Sequence, residues 1–295
     1  MNVAVFGLGA MGFGIAESIL RAGHKVWGVD LDEGTMRRFQ DIGGATSDLD
    51  PGGLDAAVIV VLNADQTAEV LFGSDGIVPQ MKKGAVVLGC ATVPPAFASD
   101  MAERCDGYQV HYLDAPISGG SAKAATGQLS IMASGTKQAL DAAGPVLDAM
   151  ADTVFELGAA AGAGSAMKAV NQMLAGVHIA AMAEAMTFGM TQGIAPSDFL
   201  KVISKCAGTS WMLENRAPHV VDGDYAARSA VNIWPKDLGI VRDIAQSARF
   251  EAPITETALA QYQKAVAMGL GREDDAAVAK VYAAQAGLNL PSADS

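Results

Sequence analysis

Apolar residues fall into short unbroken runs through the first half of the chain and into helically spaced stripes through the second. The runs at 2–6, 25–30, 56–62, 85–89, 110–113 and 129–133 read as strands buried on both faces, separated by helix-patterned stretches. Alternation of this kind predicts a mostly parallel sheet with helices on both sides. After about residue 163 the pattern changes. Stretches rich in Ala, Met and Leu at helical spacing cover 165–190, 197–206, 237–248, 255–268 and 275–284, so the second half is expected to be all α. The predicted fold class is α/β, with residues 1–163 as one domain and 164–295 as an all-α substrate and oligomerisation domain. The small-residue segment 158–164 is the hinge between them. The stretch 165–190 holds no proline and would extend roughly 39 Å at 1.5 Å per residue. Its Ala166, Ala169, Ala175, Gly176, Ala180, Ala181 and Ala183 suit close packing against another subunit, although simple alanine enrichment would look the same.

The first strand runs into Gly7-Leu8-Gly9-Ala10-Met11-Gly12 and then into a helical pattern, and Asp30 closes the second strand about 20 residues on. Strand, glycine loop, helix and acidic residue together form a dinucleotide-binding fingerprint. Gly7 allows the tight turn, Gly9 lets a diphosphate lie against bare backbone, and Gly12 brings the helix close to the sheet. The helix N-terminus offers free N–H groups to the phosphates. Asp30 is placed to accept hydrogen bonds from an adenosine ribose and to repel a 2′-phosphate. Leu31 stands where an NADP site would carry arginine, so NAD is the expected cofactor, with Arg37 and Arg38 as the cations that could still reach in. A glycine-rich turn without a ligand is the plain alternative.

Composition narrows the function further. The chain has 295 residues, 51% of them apolar, yet its longest apolar run, 56–62, is far short of the roughly 18 residues of a membrane span. It begins with a strand and lacks a basic leader pattern, so a cytoplasmic location without membrane association is expected. Cys90, Cys105 and Cys206 show neither paired spacing nor histidine neighbours, which predicts reduced thiols and no metal site. A formal charge of −12 with no basic stripe argues against nucleic acid.

Further segments carry candidate chemistry. Asp114-Ala115-Pro116-Ile117-Ser118-Gly119-Gly120 follows a strand and sets a hydroxyl beside two unhindered backbone N–H groups, which suits a carboxylate, though an ordinary turn reads the same way. Lys168 sits one turn into the long helix opened by Gly162-Ala163-Gly164, with Asn171 three residues later on the same face. The positive helix end and burial would both weaken its preference for the charged state, as proton transfer requires. Lys236-Asp237 sits at the first turn of another helix. Within 210–219, Asn215 and Arg216 could hold a hydroxylated acid, Arg216 bidentately, while Trp211, Met212, Glu214 and His219 read equally well as core, surface pair and structural histidine.

Taken together, the glycine loop 7–12, the segment 114–120, the Gly162-x-Gly164-x-x-x-Lys168-x-x-Asn171 pattern and Lys236-Asp237-Leu238 resemble the β-hydroxyacid dehydrogenase family over essentially the whole chain. The resemblance implies an N-terminal Rossmann domain, a helical C-terminal domain like that of 6-phosphogluconate dehydrogenase, and a homodimer or homotetramer. It implies Lys168 as general acid/base, assisted by Asn171, and Ser118, Gly119 and Gly120 as carboxylate binders. Asn63, Thr92 and Lys236 would lie beside NAD. The segments 60–64, 174–181 and 210–216 resemble the members that oxidise L-threonate, so the implied substrate is a small carboxylate of that kind. 3-Hydroxyisobutyrate and tartronate semialdehyde are the alternatives within the family, and a non-catalytic NAD sensor is the alternative outside it. Asn171-Gln172 stands where the family commonly has two asparagines, and Gly89-Cys90-Ala91 lacks the usual acidic and serine residues before Thr92.

Overall fold

A computed structural model describes residues 1–292 and divides the chain into two compact units, Met1–Lys168 and Ala169–Ser295. The first contains β1 (Asn2–Phe6), α1 (Gly12–Arg21), β2 (Lys25–Val29), α2 (Glu33–Asp41), β3 (Ala56–Ile59), α3 (Ala64–Phe72), β4 (Val86–Gly89), α4 (Pro95–Asp106) and β5 (His111–Asp114). These five strands are all parallel, in the order β2-β1-β3-β4-β5. Residues alternate in side-chain direction along a strand, and here both directions are buried. Val3 and Val5 of β1 join one apolar core, Ala4 and Phe6 the other. Each fully buried valine or isoleucine stabilises by about 1.5–3 kcal/mol, which is why the strands read as unbroken apolar runs.

The chain then forms β6 (Ile117–Ser118), α5 (Gly120–Thr126), β7 (Leu129–Ala133), α6 (Lys137–Met150) and β8 (Ala151–Glu156). Strand β7 pairs antiparallel with β6 and parallel with β8. Neither β6 nor β8 shows in the apolar pattern. One is two residues long, and the other is a half-exposed strand of mixed polarity whose register is set by β7. Strands predicted at 25–30 and 56–62 end earlier, at Val29 and Ile59, because the chain must turn there to display the loops above the sheet.

Helix α7 (Ala163–Thr191) begins in the first unit and continues into the second, which adds α8 (Pro196–Ile203), α9 (Trp211–Val221), α10 (Ile233–Ser247), α11 (Pro253–Ala267) and α12 (Ala279–Ala286). The helical prediction for this half holds, with 275–278 forming a tighter 3₁₀ turn ahead of α12. Helix α10 starts at Ile233, so Pro235 lies inside its first turn, where no intrahelical N–H is needed. By length and composition alone α7 could cross a membrane, a property that counting unbroken runs overlooks. Half of its most apolar window is buried inside the protein, and Ile179, Met182, Ala183 and Met186 are core residues of the helical unit.

Candidate active site

The glycine loop is shaped by backbone contacts that a side chain would destroy. A Cβ on Gly12 would fall 1.8 Å from the Gly7 carbonyl oxygen, so α1 can start where it does only with glycine there. Gly9, by contrast, faces open space and borders a groove of about 390 Å³ lined also by Leu8, Phe13, Thr35 and Arg38. Asp30 follows β2, and its carboxylate accepts the Leu8 N–H at 2.6 Å and the Asp32 N–H at 2.9 Å. Each oxygen keeps a further acceptor position for a ribose hydroxyl. Leu31 is wholly exposed, and Arg38 lies over the Phe13 ring, 4.8 Å from its centroid. Ala10 and Met11 complete the loop, and Asn63 N-caps α3 by accepting the Gln66 N–H at 2.8 Å. Thr92 follows β4, partly buried. An open face over Gly9, backbone donors at the start of α1 and an acidic residue after β2 fit a dinucleotide.

In the same unit, Ser118 ends β6, and Gly119 and Gly120 both take positive φ, at 139° and 79°, as the chain turns into α5. Lys168 is buried at 9% exposure, and its Nζ donates to the carbonyl oxygen of Ile117 at 2.9 Å. The lysine is thereby tethered to the residue immediately before Ser118-Gly119-Gly120. Nearby, the fully buried Asp114 gathers four donors: the N–H groups of Gly162 and Ser165 and the hydroxyls of Ser134 and Ser165.

The helical unit holds a second polar chain. Asn171 donates from its amide to Gln172 Oε1 at 2.9 Å, Gln172 donates to Asp237, and Asp237 pairs with Lys236 at 2.8 Å. Asn171 and Lys236, predicted separately, are the two ends of one relay. Arg216 was predicted as a substrate clamp on the strength of its fork-shaped donors. It does hold a carboxylate, but that of Asp275, which is buried and also accepts the Trp234 indole N–H at 3.0 Å. Asn215 is exposed and its side-chain oxygen accepts from Arg216. His219 bonds Asp274 at 2.8 Å, in line with its structural reading, whereas Trp211 is 58% exposed and is no core residue. Burial raises the Asp275 pKa against the pull of Arg216. Burial alone would also raise that of Asp274, but the His219 hydrogen bond and the N–H groups of Arg228 and Ala276 hold it below the ordinary carboxylate range.

Residues 2–158 match the family model of the NAD-binding domain of 6-phosphogluconate dehydrogenase, and residues 162–282 match that of the NAD-binding domain of NADP-dependent 3-hydroxyisobutyrate dehydrogenase. L-Threonate dehydrogenase from Cupriavidus necator is 46% identical over 293 residues, covering 98% of each chain. The chain belongs to the β-hydroxyacid dehydrogenase family. The Escherichia coli enzyme of the same name is 43% identical over 100% of this chain and 98% of its own. The crystal structure of 3-hydroxyisobutyrate dehydrogenase from Salmonella typhimurium superposes with a TM-score of 0.91 at 44% identity, covering 95% of this chain and 99% of that one. This member of the family is an NAD-dependent hydroxy acid dehydrogenase with a Rossmann-like first unit and a helical second unit.

Sequence reasoning did not foresee that Gln172 bonds Asp237 or that Asp114, Ser134 and Ser165 form one buried cluster. Asp114 lies 51 positions from Ser165, and Gln172 lies 65 from Asp237, so no local spacing links them. The available signal was chemical. A strand ending in aspartate amid apolar neighbours demands buried donors from elsewhere in the chain.

Proposed function

We propose that this dehydrogenase oxidises L-threonate, or a closely related C3–C4 polyhydroxy acid, at its β-hydroxyl, with Lys168 as the general acid/base. NAD, when bound, supplies the hydride acceptor. Leu8, Gly9, Ala10 and Met11 would hold its diphosphate, Asp30 its ribose, and Asn63, Thr92 and Lys236 would flank it. Ser118 and the backbone N–H groups of Gly119 and Gly120 bind the substrate carboxylate. Neutral Lys168 takes the hydroxyl proton as the carbonyl forms. Asn171 orients the reacting oxygen, and the exposed amide of Asn215 is left for the distal hydroxyls. Arg216 has no place in this reading, because Asp275 occupies its guanidinium.

The observation that carries the reading is the 2.9 Å hydrogen bond from Lys168 to Ile117, which ties a buried lysine to the start of the carboxylate-binding segment. The names of the L-threonate dehydrogenases at 42–46% identity support the substrate class. Residues 1–163 would serve as the NAD-binding domain and 164–295 as the substrate and oligomerisation domain of a cytoplasmic homodimer or homotetramer. Exposed Val170, Leu174 and Phe188 lie along one face of α7 and favour self-association.

The test is NADH formation on a panel of L-threonate, its stereoisomers and 3-hydroxyisobutyrate, with tartronate semialdehyde assayed as a reduction. Selective use of L-threonate is the expected result, and selective use of another acid moves the substrate assignment. Lys168→Met should lower turnover by about 10²–10⁴ while NAD still binds. Near-normal turnover in that variant would sink the mechanism.

A further inference from the structure

Asp114 is the last residue of β5 and is fully buried. Its backbone is fixed by a reciprocal pair of bonds to one residue: its N–H donates to the Ser134 carbonyl at 3.0 Å, and its carbonyl accepts the Ser134 N–H at 2.8 Å. Its side chain looks toward the start of α7. Oδ2 accepts the N–H of Gly162 at 2.9 Å and of Ser165 at 2.8 Å, and Oδ1 accepts the Ser165 hydroxyl at 2.7 Å. The Ser134 hydroxyl donates to Oδ2 at 3.1 Å and accepts the Gly164 N–H at 2.9 Å.

The first N–H groups of a helix have no partner within it, and the dipole of the helix concentrates partial positive charge there. In α7 the Ser165 N–H, together with that of Gly162 just before the helix, is satisfied by a carboxylate 48 to 51 positions away in sequence, and the Gly164 N–H by the Ser134 hydroxyl, so the cap is delivered by the sheet. The approach is close. A Cβ on Gly164 would lie 2.2 Å from the Met132 carbonyl oxygen and 3.1 Å from Asp114 Oδ2. Lys168 follows Ser165 by three residues, and its Nζ reaches Ile117, three residues after Asp114. The segment 114–118 therefore grips the helix at two points, its N-terminus and the tip of its lysine. The donors that surround the carboxylate are neutral. Cys90 and Tyr112, which feel its charge, stay protonated because burial first and Asp114 second raise both, Cys90 to about 12.

We propose that Asp114 is the positioning residue for the acid/base step: by capping α7 from the end of β5, it sets the place of Lys168 relative to Ser118, Gly119 and Gly120. The proposal rests on Lys168 as the acid/base. Displacing a reacting group by about 1 Å can cost about 10²-fold in rate, and nothing in the Asp114 contacts touches the glycine loop that receives NAD.

Asp114→Asn retains one acceptor oxygen but sets an NH₂ among groups that already donate. Its turnover per NAD-binding site is expected to fall by about 10²-fold, with the NAD dissociation constant and the KM of the acid both within about threefold of the parent. A fall of less than about tenfold, or a parallel loss of NAD affinity, overturns the proposal. Should Asp114→Asn fail to fold, Ser165→Ala decides. It removes one donor and leaves the carboxylate in place, so turnover should fall by about three- to tenfold without a change in NAD affinity. Unchanged turnover there overturns the proposal equally. An active Lys168→Met enzyme would sink the mechanistic reading itself, whereas an inactive Lys168→Met enzyme beside a normal Asp114→Asn enzyme removes only the role of Asp114.

Discussion

Each unit contains a buried aspartate at the centre of a polar cluster, and the two are satisfied in different ways. Asp114 in the first unit takes backbone N–H groups and hydroxyls, all neutral, at the mouth of a helix. Asp275 in the helical unit takes the guanidinium of Arg216 and the indole of Trp234. The difference shows two ways of satisfying a buried carboxylate, one by backbone and hydroxyl donors and one by a long cation. Glycines at 9, 119 and 120 carry no side chain of their own to screen the backbone there. In a bundle of helices a long cation is drawn to whatever carboxylate the core has buried, because leaving that charge unpaired costs several kcal/mol. Arg216 therefore supports the fold, whereas Lys168 in the first unit donates to the Ile117 carbonyl oxygen.

The largest test of that contrast is Arg216→Met. It strands Asp275, and loss of about 3–5 kcal/mol of stability is expected in denaturant unfolding, with the KM of the acid unchanged in the folded fraction. A raised KM with intact stability would return Arg216 to the substrate. Next is Asp30→Ala, which removes the acceptor of the Leu8 N–H and of a ribose hydroxyl. NAD should bind more weakly by about 1.5–3 kcal/mol in a calorimetric titration, while the melting temperature moves little. Asn63→Ala should cost about 0.5–2 kcal/mol of stability through the lost cap on α3, and a further loss of NAD affinity would show that the same amide also faces the cofactor.

The smallest effect concerns acid. The folded-state pKa of Asp274 lies below its ordinary value of 3.8, so its contribution to stability is complete above that pH and fades as pH falls through the lower folded value. Melting curves between about pH 5 and pH 3 should therefore steepen less in Asp274→Asn than in the parent. Equal slopes would mean that the His219 contact does not favour the charged carboxylate.

Much of the fold is legible in the sequence. Continuous apolar runs located the six principal strands, and helical spacing located the helical unit, because both are local consequences of which faces must be buried. The strands β6 and β8 were not legible, since their pairing is imposed by β7 rather than by their own residues. The glycine loop could be read for the same reason as the sheet: its geometry is a property of neighbouring residues. The Asp275 partner of Arg216 was not legible, because the chemistry of the arginine is the same whether the carboxylate belongs to a substrate or to Asp275, and only distance distinguishes them.

By itself, then, the sequence determined the Rossmann sheet, the helical second half, the cofactor class and the lysine at the head of the long helix. These depend on steric and burial rules that act over a few residues to a few tens. The tertiary structure alone decided which polar groups are consumed and which are left free to act: that Asp114 caps α7, that Gln172 links Asn171 to Asp237, and that Asp275 claims Arg216. Those pairings span about 50 to 65 positions, and they are settled by the cost of burying an unsatisfied polar group, a cost that exists only once the chain has closed around it.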